Sequence, residues 1–120
     1  MPKKPSRKTL RNKLDKIIRE IVKKKGSCER CNRRPPIVQL QTAHIFSRKN
    51  LSVRWDLDNV LCLCASCHFW AHQNPVEFAE FVKYKLGKER YEKLKIKANT
   101  PKQWEDYELI ELYENLKKNL

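Results

Sequence analysis

The sequence contains no apolar run long enough to cross a membrane, so it does not predict a membrane protein. Residues 2–11 also lack the apolar stretch of a secretory signal peptide. We therefore expect a cytoplasmic protein. In such a reducing compartment, paired cysteines are more often metal ligands than disulfides.

Acidic residues are scarce compared with basic ones. The 120 residues include 27 Lys and Arg but only 14 Asp and Glu, and the formal net charge at pH 7 is +13. Such an excess is typical of proteins that bind a polyanion, although a basic protein without such a partner can also reach it. The excess is concentrated in residues 1–26, which carry 11 basic and 2 acidic side chains. Nucleic acid and an acidic membrane both fit this end, and the residues of the central segment favour nucleic acid.

The length suits one domain with helical extensions. We divide it into a basic arm and amphipathic helix (residues 1–26), a core (27–73) and a C-terminal helical region (74–120). Residues 1–8 are polar, with two prolines, and are expected to be a disordered arm. A helix is predicted from about Thr9 until Gly26, because five apolar residues follow helical spacing: Leu10, Leu14, Ile17, Ile18 and Ile21.

The central segment predicts two short strands. Residues 37–42 alternate apolar and polar side chains, with His44 just beyond them, and residues 60–63 form a second apolar stretch. Four further helices are predicted over residues 65–73, 75–86, about 89–97, and from a capping box at 100–103 onward. Asn74 is expected to cap the second of these. The predicted fold class is α+β.

Four of the five cysteines form two pairs with the spacing of zinc ligands. Cys28 and Cys31 are one pair, Cys64 and Cys67 the other, and four thiolates suit tetrahedral zinc. Two coincidental pairs of buried cysteines are the alternative. Cys62 is the spare residue and is expected to be a buried thiol. Its pairing with Cys64 would make a poorer chelate, since a strand places both on one face.

All three histidines lie within residues 44–72. His68 and His72 are four apart on a predicted helix, so both imidazoles point the same way and could bind one divalent cation. His44 follows the preceding strand and could face that helix across the hairpin. A lone histidine is more often structural, but clustered His and Cys residues favour a metal or catalytic site.

The central segment resembles a known family. His44, Asn59 and His68 resemble the H, N and H of the HNH nucleases, also called the His-Me or ββα-metal family, and residues 57–68 are similar to its most recognisable part. The cysteine pairs resemble the zinc-bearing branch, which includes phage resolving endonucleases and small phage HNH proteins, and the histidine pair is similar to that of colicin nucleases. The resemblance covers residues 28–73. It implies a small ββα-metal core with a four-cysteine zinc knuckle, flanked by N- and C-terminal helices.

The resemblance also implies a role for each residue of the motif. His44 would be the general base that activates water for the hydrolysis of a DNA phosphodiester bond. Asn59 would tie the hairpin loop to the backbone and so orient His44. His68, with His72 as second ligand, would hold a divalent cation (Mg²⁺, Mn²⁺ or Ni²⁺) that stabilises the leaving 3′ oxygen.

Ala43 departs from the family pattern. The family often has Asp or His before the base as a metal ligand, and alanine cannot coordinate an ion. Asp56 and Asp58 are the alternative ligands, although Asp58 is more simply a residue that stabilises the loop. The alternative function is therefore a non-catalytic zinc-containing module that binds nucleic acid or assists another nuclease.

The expected partner is double-stranded or branched DNA, with no membrane partner. The amphipathic terminal helices could also form a homodimer. The basic residues of the connecting segments are expected to contact the nucleic acid: Arg33, Arg34, Arg48, Lys49 and Arg54.

Overall fold

Helices surround a single two-stranded hairpin in the computed structural model, which describes residues 5–120. The α+β class is confirmed. Half of the predicted disordered arm (residues 1–4) lies outside the described residues, and its last two residues belong to the first helix. A 3-10 turn at Leu57–Asn59 precedes the second strand. In chain order the elements are α1 (Arg7–Lys23), β1 (Leu40–His44), β2 (Val60–Cys64), α2 (Ala65–Gln73), α3 (Pro75–Leu86), α4 (Lys88–Ala98) and α5 (Asp106–Lys117).

α1 forms where the apolar spacing predicts it, but it begins two residues earlier. Ser6 caps the helix, because its Oγ accepts a hydrogen bond from the backbone N–H of Thr9 at 3.1 Å. Gly26 lies beyond the last turn with a positive φ of 79°, a conformation that glycine adopts without strain. The buried face packs against the hairpin and α5 with these residues: Leu10, Leu14, Ile17, Ile18 and Val22.

β1 and β2 pair antiparallel, with Leu40 opposite Cys64 and His44 opposite Val60. The predicted first strand is wrong at its beginning, since it starts at Leu40, and Ile37 is 77% exposed. β2 explains the difference: it ends at Cys64, where the chain turns into α2, so residues 37–39 have no strand opposite them. The second strand is confirmed and is buried throughout.

The C-terminal helices are confirmed, but two predicted caps are wrong. The side chain of Asn74 does not cap α3 and instead donates to the carbonyl of Trp70 at 3.0 Å. The capping box of α5 consists of Glu105 and Glu108, five residues beyond the predicted one. The predicted Thr100 cap is used elsewhere, because its hydroxyl donates to the carbonyl of Ile96 and closes α4.

The terminal helices and α4 support different parts of the hairpin. α1 and α5 pack against each other, so the apolar faces that left a homodimer open are largely used within the chain. α4 lies against the 3-10 turn, where Arg90 pairs with Asp58 and Lys97 pairs with Asp56 at 2.6 Å. The hairpin and α2 therefore sit on a framework made by both ends of the chain.

Candidate metal and catalytic centre

The four paired cysteines converge on one point. The Sγ atoms of Cys28, Cys31, Cys64 and Cys67 all lie within 4.8 Å of one another, and those of Cys31 and Cys64 are 3.7 Å apart. A tetrahedron with metal–sulfur distances of about 2.3 Å has edges of about 3.8 Å. The donor set and its spacing therefore fit a zinc ion, and the cluster could hold one.

Local structure brings the two pairs together. Cys28 and Cys31 lie in a turn in which the N–H of Asn32, at a positive φ of 64°, donates to the carbonyl of Cys28. Cys64 ends β2 and Cys67 lies in the first turn of α2. The cluster thus lies at the start of the helix that carries His68 and His72.

Two arginines donate hydrogen bonds to these sulfurs. Arg33 Nε lies 3.2 Å from Cys31 Sγ, and this bond lowers the pKa of the Cys31 thiol. Arg30 Nη1 lies 3.4 Å from Cys67 Sγ, and its guanidinium stacks on Trp70 at 3.6 Å from the ring centroid. Because four thiolates outweigh the charge of one Zn²⁺, these guanidinium groups would offset the excess negative charge of a zinc-loaded cluster. Arg33, which we expected to contact nucleic acid, lies at the cysteine cluster.

The thiols of the second pair have opposite pKa shifts. Burial disfavours the Cys64 thiolate, but hydrogen bonds from the Ser66 hydroxyl and from Cys67 outweigh it and lower the pKa of Cys64 to about 6. Burial, with the neighbouring sulfurs of Cys64 and Cys28, raises the pKa of Cys67 to about 12. Crowded sulfurs resist a second ionisation, and a bound dication would relieve that repulsion. Cys62 is fully buried outside the cluster.

All three histidines line one cavity of about 650 Å³ between α1, the hairpin, α2 and α3. The rings of His68 and His72 are close, with centroids 4.8 Å apart. Asn59 is not among the lining residues. Two lining residues on α1, Asp15 and Arg19, did not stand out in the sequence.

His68 is oriented by Gln41 of β1. Gln41 Oε1 lies 2.8 Å from His68 Nδ1, and an amide oxygen only accepts, so Nδ1 carries the proton and Nε2 keeps its lone pair for a metal. Burial, followed by the nearby His72 and His44, lowers the pKa of His68 and so favours the neutral, ligating form. Gln41 was missed as a site residue. Its position on the same strand face as Ala43, two residues away, is the signal that could have found it.

The two imidazoles gain no third protein ligand in the described part of the chain. Across residues 5–120, the cysteine cluster is the one group of three or more His, Cys, Asp or Glu donors that converges closely enough for a metal. Ala43 is buried in the cavity wall. Neither Asp56 nor Asp58, the expected substitutes, lines the cavity, since both pair with α4. A cation here would complete its coordination with water and substrate oxygens.

His44 ends β1 and bonds to the backbone of the following loop. Its Nε2 lies 3.1 Å from the carbonyl oxygen of Arg54. Because a carbonyl only accepts, Nε2 carries the proton and Nδ1 keeps a lone pair. Burial lowers the pKa of His44, and the Arg54 carbonyl only partly offsets this effect. The imidazole is therefore neutral at pH 7 and suited to accept a proton.

Asn59 holds the loop that follows His44 at two points. Its Oδ1 accepts from the N–H of Phe46 at 2.8 Å, and its Nδ2 donates to the carbonyls of Phe46 and Val53 at 3.0 and 3.1 Å. The side chain is fully buried, so each bond is shielded from water. Asn59 therefore ties the loop together at Phe46 and Val53, and its expected effect on the orientation of His44 stays a prediction.

The basic residues expected at nucleic acid have different surroundings. Arg54 is 16% exposed and pairs with Asp15 at 2.7 Å, whereas Arg48 is 59% exposed and pairs with the same carboxylate at 3.1 Å. An exposed pair is weak, so Arg48 can exchange its partner for a phosphate more easily than Arg54. Arg34 and Lys49 are exposed on loops.

No family model, curated protein or solved structure matches this chain. None of the helices in the described residues combines the length and the apolar character that crossing a membrane requires. A functional assignment therefore depends on the cysteine cluster, the histidine cavity and the sequence motifs that form them.

Proposed function

We propose that this protein is a metal-dependent endonuclease of the HNH (ββα-metal) type that hydrolyses DNA phosphodiester bonds. The observation that carries the proposal is the meeting of His44, His68 and His72 in one cavity. A hairpin followed directly by a helix supports it, since this is the order of elements for which the ββα fold is named. The hydrogen bonds of Asn59 to the loop after His44 support it further.

In this mechanism His44 is the general base. Its neutral imidazole takes a proton from a water molecule at Nδ1, the water oxygen forms a bond to phosphorus, and the bond from phosphorus to the 3′ oxygen breaks. A divalent cation bound by His68 and His72 would supply positive charge at the phosphate and at the leaving oxygen. Gln41 keeps His68 turned with Nε2 free, and Asn59 holds the loop that bonds to His44.

The cysteine cluster has a structural role in this proposal. Zinc at Cys28, Cys31, Cys64 and Cys67 would clamp the segment before β1 to the start of α2. His68 directly follows Cys67, so the clamp would fix a ligand of the catalytic cation. A hairpin of two short strands is marginal by itself, and a structural metal is a common way to stabilise it.

DNA would approach along α1 and the loop after β1. Arg19 and Arg48 line the cavity from these two elements, and Lys49 is exposed on the same loop. Lys and Arg side chains bind phosphates without regard to sequence, which suits a double-stranded or branched DNA substrate.

One observation favours the second candidate, a zinc-containing module that binds nucleic acid or assists another nuclease without cutting. Ala43 supplies no ligand, which leaves two histidines for the catalytic cation in the part of the chain that the structure describes. A site with two protein ligands binds a divalent ion more weakly than one with three.

The deciding experiment compares the parent with His44→Ala on supercoiled plasmid and on branched DNA, with Mg²⁺, Mn²⁺ or Ni²⁺. We expect the parent to cut and the variant to lose cleavage while it keeps its zinc content and DNA affinity, because a base is removed and no metal ligand is. Equal cutting by both would reject His44 as the base. A parent that binds DNA but cuts neither substrate with any of these ions would favour the non-catalytic module.

A further inference from the structure

Asp15 is a largely buried acid in a mostly basic helix. Its side chain is 13% exposed, and its two oxygens accept hydrogen bonds from three residues of the loop between the strands. Oδ1 accepts from Arg54 Nε at 3.1 Å and from Trp55 Nε1 at 2.8 Å. Oδ2 accepts from Arg54 Nη2 at 2.7 Å and from Arg48 Nη2 at 3.1 Å.

The carboxylate is ionised at neutral pH. Burial opposes its charge, but the hydrogen bonds from Arg54 and Trp55 and the charges of Arg54 and Arg48 outweigh burial and lower the pKa of Asp15. Arg54 makes a two-pronged bond, which fixes the plane of its guanidinium as well as its distance.

These bonds reach the proposed general base through one residue. The side chain of Arg54 is held by Asp15, and the backbone carbonyl of Arg54 accepts the hydrogen bond from His44 Nε2. The carbonyl just before it, that of Val53, is held by Asn59. Asn59 and Asp15 therefore restrain two consecutive residues of the loop, Val53 and Arg54, and His44 bonds to the second.

Stability alone gives a weak reason for Asp15. Trp55 is already buried and packs edge-on against Trp104 at 6.0 Å between ring centroids, so apolar contacts hold this part of the loop. A mostly buried ion pair costs desolvation that often cancels its attraction. The carboxylate instead restricts the conformation of the loop, because its four hydrogen bonds can form together only when the loop has one arrangement.

We propose that Asp15 is a positioning residue for His44. Through Arg54 it fixes the carbonyl that keeps the proton of His44 on Nε2 and leaves Nδ1 as the basic nitrogen. The catalytic part of this proposal rests on the endonuclease function proposed for the cavity, whereas the effect on the His44 ring does not.

The test compares Asp15→Asn with the parent and with Asp106→Asn. Asparagine keeps the size of the side chain but removes its charge. Asp106 is a matched control, because it also pairs with an arginine but lies away from the cavity. Its partner is Arg7 of α1, the helix that carries Asp15, and the pair is exposed. The first measurement is nitrogen NMR of the His44 imidazole, without DNA or added cation. We expect a proton mainly on Nε2 in the parent and the control, and a mixture of the two neutral tautomers in Asp15→Asn.

The second measurement is cleavage kinetics. Asp15→Asn should lower kcat by about ten- to a hundredfold, because a displaced base slows the chemical step. It should not raise KM, because Arg48 loses its partner at Asp15 and stays available to a phosphate. Arg54→Lys serves as a second variant if Asp15→Asn does not fold. It keeps a cation beside Asp15, loses the two-pronged bond, and should shift the tautomers in the same direction by a smaller amount.

The two measurements separate this proposal from the endonuclease proposal. An unchanged His44 tautomer in the folded variants overturns the positioning role, whatever the cleavage result. If the parent cuts no DNA with any cation, the endonuclease proposal fails, and the tautomer shift still decides whether Asp15 orients His44.

Discussion

At the scale of single residues, two histidines of one cavity are oriented in opposite senses by different partners. His44 donates a hydrogen bond from Nε2 to a backbone carbonyl, and His68 donates one from Nδ1 to the side chain of Gln41. The nitrogens that remain basic are therefore Nδ1 in His44 and Nε2 in His68. This difference matches the two proposed tasks, since a base and a metal ligand need not use the same ring nitrogen.

Gln41→Ala should weaken the binding of the divalent cation by about tenfold, because loss of a partner that orients a metal-bound histidine typically has an effect of this size. The measurement is a titration of the zinc-loaded protein with Mn²⁺. Gln39→Ala is the matched control, since Gln39 is exposed just before β1, whereas the hydrogen bond to His68 Nδ1 is made by Gln41. Equal affinities in the two variants would reject the role of Gln41.

At the scale of elements, the hairpin and α2 meet at the cysteine cluster. Cys64 and Cys67 span the junction of β2 and α2, and the turn that holds Cys28 and Cys31 lies beside it. The backbone supports the same contact, because the N–H of Glu29 donates to the carbonyl of Cys62 at 2.7 Å. Loss of the metal should therefore disturb α2, and the two histidines on it, before it disturbs α1 and α5.

The cysteine cluster predicts about one tightly bound zinc per chain, since four converging thiolates form a closed structural site. Cys67→Ser should lose the zinc and unfold or aggregate, whereas Cys62→Ala should keep the zinc, because Cys62 lies outside the cluster. Metal analysis and circular dichroism of both variants provide the measurement. A metal-free sample with full helicity and an unchanged melting temperature would contradict the prediction.

At the scale of the whole molecule, α1 is a strongly basic helix, with seven basic and two acidic side chains, and its two sides have different neighbours. Lys13 lies over the ring of Tyr113, and Lys24 bonds to the carbonyl of Asn119, so both face the C-terminal helix. Lys16 and Lys23 are exposed and share the side of α1 that carries Arg19, which lines the histidine cavity. DNA bound at the cavity would meet the second side.

Replacing Lys16 and Lys23 together by glutamine should weaken DNA binding and lower its dependence on salt. Two lost phosphate contacts reduce the slope of log affinity against log salt by about two. The control, Lys13→Gln with Lys24→Gln, removes the same charge from the side that faces α5. Binding measured at several salt concentrations should change more in the first variant, and equal changes would place the DNA elsewhere.

The sequence alone determined the features that depend on spacing along the chain. The apolar period of α1, the two cysteine pairs, the α2 range and the pairing of two histidines on one helix face were all predicted, because each follows from a repeat within a few residues. The α+β class followed from the same patterns.

Only the tertiary structure decided features that join distant parts of the chain. The start of β1 depends on where β2 ends, and the cap of α5 lies five residues beyond the one that local residue types suggested. Asp15 reaches Arg54 across 39 positions and Gln41 reaches His68 across 27, so no short repeat marks either pair. The sequence shows only that Arg33 and Arg54 are basic. The structure places Arg33 against thiol sulfurs and Arg54 against a largely buried carboxylate. A charged side chain takes its role from the neighbour that folding brings to it, and that neighbour is absent from the local sequence.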